Sequence, residues 1–159
     1  VLIRQVQEDD WPLVRDVRLR ALREDPDVFG SSLAREQMFA EPHWRMRLRG
    51  STTWVLEDGA GEPRGMVGMI QEPGSPTTDR HVVQLWVAPE VRRRGHGWAL
   101  LDTVREAARA DGAATVSLWV RDANHAAGDL FVRAGFVRTK ERHAPTPTQV
   151  EERLELRLT

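Results

Sequence analysis

Residues 87–101, VAPEVRRRGHGWALL, set Arg92, Arg93 and Arg94 directly before Gly95-His96-Gly97 and an apolar run. Such a loop, placed between a strand and an amphipathic helix, has the chemistry of an anion site. The first N–H groups of a helix lack intrahelical acceptors and carry the positive end of the helix dipole. Glycines let the backbone approach a ligand closely and adopt conformations closed to other residues. A phosphate or pyrophosphate held by backbone N–H groups, with arginine beside it, is the ligand this arrangement suits. An exposed turn with solvated arginines is the commoner outcome for so short a motif. Two other phosphate loops do not fit. No Gly-Lys-Ser/Thr is present, and Ala99, Leu100 and Leu101 leave no third glycine of a dinucleotide fingerprint.

The elements that must position this loop follow from periodicity and punctuation. LIRQV at residues 2–6 reads as a short strand. A helix follows, with Asp9 or Asp10 as N-cap, Pro12 in its first turn, Val14, Val17 and Ala21 at helical spacing, and Pro26 just past its end. Residues 31–49 read as one or two short helices interrupted near Pro42. TTWVLED, GMVGMIQE and RHVVQLWV are β-rich runs between turn residues, an antiparallel meander. In the last of them Val83, Leu85 and Val87 alternate with Gln84 and Trp86. Gly97, Leu100, Leu101, Val104 and Ala108 then keep a helical rhythm, and TVSLWV returns to strand. NHAAGDLFVRAGF is a short helix that Gly135 ends as a left-handed residue, with Phe136 as its apolar partner. Two strands close the chain, the second placing Leu154, Leu156 and Leu158 on one face. The strands on either side of the loop helix are predicted to be parallel neighbours, so the fold class is α/β with a mixed sheet.

Bulk composition bounds the function. The 159 residues fit a single domain, and 40% hydrophobic with 30% charged residues reads as soluble and globular. Basic and acidic residues number 23 and 24, which argues against a nucleic-acid partner; among the basic ones only Lys140 is a lysine. With no cysteine there is no disulfide, thiolate zinc site, Fe–S cluster or thiol nucleophile, which fits a reducing cytoplasm. The five histidines have no metal-like spacing, so no metal is expected. There is no long apolar run and no signal-like start, so neither a membrane span nor an export signal is expected.

Two motifs at the right separation make the sequence similar to the GNAT superfamily of acyl-CoA-dependent N-acetyltransferases. Val87, Pro89, Arg92, Gly95, Gly97, Leu100 and Leu101 match its motif A; Asn124, Ala127, Leu130, Phe131, Gly135 and Phe136 match its motif B. RLRALREDPDVFGSS, residues 18–32, resembles the opening helix and loop of a broad bacterial branch. The resemblance covers essentially the whole chain and implies one domain, residues 1–159. It implies a mixed central sheet of six to seven strands flanked by about four helices. Acetyl-CoA is the implied acyl donor and a primary amine the acceptor, with a monomer or homodimer as the acting form.

The resemblance also assigns roles. Backbone N–H groups of Arg93, Arg94, Gly95, His96, Gly97 and Trp98 would cradle the CoA pyrophosphate, with Arg92 beside them. The pantetheine arm would lie against Leu85, Trp86 and Val87 like an added strand, and one of these amides would polarise the thioester carbonyl. Asn124 matches the family asparagine that reaches the cofactor, and it is equally an N-cap for its own helix. Phe131 stands where many members carry the tyrosine that protonates the departing thiolate, and this chain has no tyrosine at all. Phe131 is therefore read as core or cofactor packing. The strand glutamate that serves several relatives as base is missing too; the nearby residues are Val83 and Gln84. Gln84 can hold a water but takes no proton, and His81 could act as base if it faces the cleft, although a histidine at a strand start is more often exposed. Phe29, Ser31, Ser32 and Glu36 are expected on the acceptor side, with RHAPTPTQ as a lid opposite. Trp86 and Trp98 flank the loop and are read first as packing. The leading function is direct acetyl transfer to an amine. An acyl-CoA-binding module with little transfer activity is the alternative, and a small nucleic-acid binder using the arginine run is disfavoured by charge.

Overall fold

A computed structural model describes residues 1–159. Contacts divide the chain into two compact units, residues 1–70 with 83–101 and residues 71–82 with 102–159. The first contains β1 (Leu2–Gln5), α1 (Trp11–Glu24), α2 (Leu33–Glu36), α3 (Glu41–Arg49), β2 (Thr52–Glu57) and β3 (Pro63–Ile70). It also contains the second half of β4 (Asp79–Val87) and the first turns of α4 (His96–Ala110). β1 pairs with β2 and β2 with β3, all antiparallel. The helical spacing predicted for α1 is realised: Val14, Val17, Ala21 and Leu22 bury one face in a cluster with Trp44, Val55, Met66, Trp86 and Ala88. Each large apolar side chain there contributes about 1.5–3 kcal/mol by leaving water.

One local expectation changes. Asp10 precedes α1 but makes no side-chain cap; its Oδ2 accepts from the Gln7 N–H at 2.7 Å, stabilising the 3-10 turn Glu8–Asp10 that leads into the helix. The interruption expected near Pro42 falls just before it. Pro42 sits in the first turn of α3, where no intrahelical bond is lost, and the break covers residues 37–40.

The second unit contains the first half of β4, the remainder of α4, then β5 (Thr115–Arg121), α5 (His125–Arg133), β6 (Val137–Thr146) and β7 (Gln149–Arg157). β4 begins parallel to β5, with Asp79, Arg80 and His81 opposite Thr115, Val116 and Ser117, as a crossover through α4 requires. β7 pairs antiparallel with both β5 and β6. The end of α5 follows the expected pattern closely. Gly135 has φ 101, its N–H donates to Val132 O, and the Phe136 N–H reaches back to Phe131 O, each at 3.0 Å. The Phe136 ring then packs 6.0 Å from that of Phe131. β7 departs from simple alternation: Leu154 is buried as predicted, but so are Glu152 and Arg153 beside it. RHAPTPTQ is the end of β6 and the hairpin turn into β7.

The strand order is β1-β2-β3-β4-β5-β7-β6, a seven-stranded mixed sheet. There are five α-helices, in keeping with the expected architecture, and residues 31–49 yield two of them, α2 and α3. No helix is long and apolar enough to cross a membrane.

Candidate functional site

The strand that leads to the arginine loop is not regular. Gln84 lies in mid-strand with φ 59, a left-handed conformation that side chains other than glycine rarely adopt. Around it the buried positions change parity, from Asp79 and His81 to Val82, Trp86 and Ala88. The expected alternation is therefore displaced: Trp86 is buried, while Val83, Leu85 and Val87 are only half-buried. A left-handed residue turns its peptide groups out of the ladder, so β4 cannot keep a period of two through Gln84.

Beyond β4 the segment is pinned by ion pairs. The Ala88 N–H donates to Arg64 O at 2.7 Å, and a 3-10 turn spans Pro89–Val91. Glu90 accepts from Arg20 Nη2 at 2.8 and 2.7 Å and from Arg64 Nη1 at 2.7 Å. These guanidinium bonds hold its carboxyl below the usual range. Arg92 is committed as well. Its Nε donates to Val87 O at 2.8 Å and its Nη2 to Asp25 Oδ2 at 2.6 Å, and the same oxygen accepts from the Trp86 indole at 2.7 Å. The first arginine of the triplet thus braces the loop.

From Arg93 the loop opens. Arg93 has φ 63 and Gly95 φ 82, left-handed residues on either side of Arg94. Alternating handedness of this kind turns successive N–H groups toward one side and forms an anion nest. Arg93, Arg94 and Gly95 are exposed, and a Cβ added at Gly95 would meet nothing within 4 Å. The glycine is required here for its backbone angle, and the space outside it is free. α4 starts at His96, and its first i to i−4 bond runs from the Ala99 N–H to Gly95 O at 3.0 Å. The N–H groups of residues 96–98 therefore lack intrahelical acceptors. Trp98 is 44% exposed on this turn, whereas Trp86 is part of the core. The open nest, the helix start and two unpaired arginines suit a diphosphate group.

The residues expected on the acceptor side lie in the same unit but play different parts. Phe29 is buried beneath the Arg18 guanidinium, 4.6 Å from its ring centre. Ser32 caps α2 by accepting from the Arg35 N–H at 3.2 Å. Glu36 is fully enclosed. Arg18 donates to it through Nε at 3.0 Å and Nη2 at 2.9 Å, and Arg47 through Nη1 at 2.8 Å. Burial alone would raise its pKa, but hydrogen bonds from Arg18, Arg47 and Ser31 outweigh that and bring it to about 2. Only Ser31, half-buried, and Ser32, exposed, keep a surface of their own.

His81, Asn124 and Phe131 belong to the other unit. His81 is 3% exposed, where a strand-start histidine was expected at the surface. Its Nδ1 pairs with Ser117 Oγ at 2.8 Å and its Nε2 lies 3.3 Å from Glu72 Oε2. Burial pushes it below the ordinary histidine value, and the Glu72 carboxylate opposes that. The ring belongs to a polar network. Asp79 accepts from Thr115 at 2.7 Å, Ser117 at 2.6 Å and Arg153 at 3.2 Å, while Arg153 and the Trp119 indole hold Glu72 at 2.8 and 2.9 Å. Both ring nitrogens are engaged, so His81 braces β4 against β5 within this unit. Asn124 caps α5, its Oδ1 accepting from the Ala127 N–H at 3.3 Å. Phe131 is buried against Phe136, the packing role expected of it.

Sequence reasoning missed Asp25, Glu90 and Arg153. Their partners lie up to 67, 70 and 81 residues away, and no local motif marks them.

Residues 16–136 match the acetyltransferase (GNAT) family. The mycothiol acetyltransferase of Kineococcus radiotolerans is 47% identical over 99 residues, which cover 60% of this chain and 31% of that protein. This chain thus matches about a third of the length of that curated relative. Among solved structures, a GNAT-family acetyltransferase from Streptococcus pneumoniae superposes with a TM-score of 0.82 at 16% identity, over 99% of each chain. A GCN5-related N-acetyltransferase from Kribbella flavida gives 0.78 at 19% identity, over 99% of this chain and 97% of that one. At these identities the structural likeness speaks for the fold; the match across residues 16–136 speaks for descent, and this chain belongs to the acetyltransferase (GNAT) family.

Proposed function

We propose that this protein is an acetyl-CoA-dependent N-acetyltransferase acting on a primary amine. The observation that carries the reading is the loop at residues 92–98, where left-handed Arg93 and Gly95 open the N-terminus of a fifteen-residue helix. Acetyl-CoA supplies a thioester whose carbon the amine attacks directly, forming the C–N bond as the C–S bond breaks and CoA leaves as a thiolate. The chain's own residues bind, orient and accept. Backbone N–H groups of residues 93–98 hold the diphosphate, and the Arg93 and Arg94 side chains supply positive charge beside it. The backbone of Leu85, Trp86 and Val87, past the left-handed Gln84, lines the pantetheine arm and offers an N–H to the thioester oxygen. The Gln84 amide holds a water that relays the amine proton to bulk solvent. Ser31 and Ser32 are the acceptor-side groups with exposed surface.

A thiol with a pKa of about 8.5 leaves readily as thiolate, so a phenylalanine at position 131 is compatible with turnover. The second reading, an acyl-CoA-binding module with little transfer activity, is favoured by that same residue and by the absence of tyrosine. Calorimetry with CoA tests the site, and loss of binding in Gly97→Trp localises it. An amine panel followed by CoA thiol release separates the two readings. It should include amino acids, peptide N-termini, small amines and, in view of the relative's name, mycothiol-related acceptors. Turnover with any member supports the transferase; CoA binding with silence across the panel supports the module.

A further inference from the structure

The Asp25 carboxylate is an unexpected neighbour for a loop built to bind an anion. It ends α1, anchored by its own N–H to Ala21 O at 2.9 Å. A single oxygen, Oδ2, takes both the Trp86 indole N–H at 2.7 Å and Arg92 Nη2 at 2.6 Å. Arg92 in turn grips Val87 O through Nε. The end of β4 and the first residue of the loop are therefore tied to one point at the C-terminal end of α1. Left-handed Arg93 comes immediately after that tie.

We propose that Asp25 is a positioning residue for the acyl-donor loop, setting the path of residues 86–93 through Trp86 and Arg92. The inference rests on the proposed function, since the loop must bind CoA for its position to matter. It carries a built-in contradiction with simple electrostatics. A carboxylate beside an anion site repels the ligand, and it also neutralises Arg92. Were charge the only effect, removing Asp25 would tighten CoA binding. Positioning requires the opposite: without Oδ2 the indole N–H is orphaned, Arg92 swings free, and the N–H groups of the nest lose their common aim.

The test compares Asp25→Ala, Asp25→Asn and Arg92→Lys by CoA calorimetry and steady-state kinetics, with exposed Asp27→Ala as a control expected to match wild type. Asp25→Ala should weaken CoA binding about tenfold, equivalent to about 1.4 kcal/mol. The KM for acetyl-CoA should rise with it while kcat changes far less. Asp25→Asn removes the same charge but keeps an oxygen acceptor at that position, so it should recover most of the affinity. Arg92→Lys keeps the charge but cannot reach Val87 O and Asp25 together, so it should resemble Asp25→Ala. It lies in an exposed loop and carries the test if Asp25→Ala fails to fold. Equal or tighter CoA binding by Asp25→Ala and Arg92→Lys, with wild type binding normally, overturns the positioning role alone. Asp25→Ala and Asp25→Asn weakening binding equally overturns it as well, because an oxygen acceptor at that position would then hold nothing in place. A wild-type protein that does not bind CoA overturns the function on which the inference depends.

Discussion

Replacing Glu36 by glutamine removes one negative charge from a site with no exposed carboxylate surface. The Glu36 pKa falls from 4.5 to about 2 in the fold, because guanidinium hydrogen bonds outweigh the burial that would raise it. That depression corresponds to about 3 kcal/mol of stability at pH 7. A carboxyl whose folded pKa is lowered stabilises above its unfolded value and loses that contribution as pH falls through the folded one. The window here runs from about 4.5 down to about 2. By that relation about 2 kcal/mol of the contribution disappears between pH 7 and pH 3. Glu36→Gln also leaves Arg18, only 9% exposed, without its buried counter-charge. Breaking such a pair from one side costs about 3–5 kcal/mol. Urea denaturation followed by tryptophan fluorescence, at pH 7 and at pH 3, should therefore show a gap between wild type and variant of at least about 3 kcal/mol that narrows by about 2 in acid. All other carboxyls titrate in both proteins and cancel in the difference. A gap that stays constant between the two pH values, or one below about 0.5 kcal/mol at pH 7, would refute the reasoning.

Three other perturbations probe separate parts of the chain. Gly135→Ala places a Cβ at φ 101 and 3.2 Å from Leu156 Cδ1, so thermal unfolding should show a loss of about 1–2 kcal/mol; no loss would mean that α5 does not end in a left-handed turn. Gly95→Ala meets no neighbour within 4 Å, so its cost is in the backbone angle of the loop. CoA affinity should fall up to about tenfold with little change in melting temperature, and Gly95→Asn, which tolerates the left-handed region, should fall less. Arg153→Met strands Asp79 and Glu72, both of which it holds in the second unit, and should cost about 3–5 kcal/mol. Adding Asp79→Asn should recover part of that loss; a single variant as stable as wild type would show that the network contributes little.

What the sequence by itself determined is local in its physics. Helical spacing marked the buried face of α1, Gly135 with Phe136 marked the end of α5, and the Gly-x-Gly before an amphipathic run marked the start of α4. Each depends on backbone angles and orphan N–H groups within a few residues, so each is legible from neighbours. Tertiary structure decided the partners of charges and the faces of irregular strands. Nothing beside Arg92 in the chain says that it braces a loop while Arg93 and Arg94 stay free, because its carboxylate partner comes from the end of α1, 67 residues earlier. Glu36 could be read as a surface acid near an acceptor, and only the convergence of Arg18 and Arg47 shows it enclosed. Gln84 interrupts the period of β4 through a left-handed angle that glutamine does not advertise, and His81 is buried by a network drawn from β4, β5 and β7. Burial and ion pairing belong to the arrangement of distant segments. They become visible only when the folded chain brings those segments together.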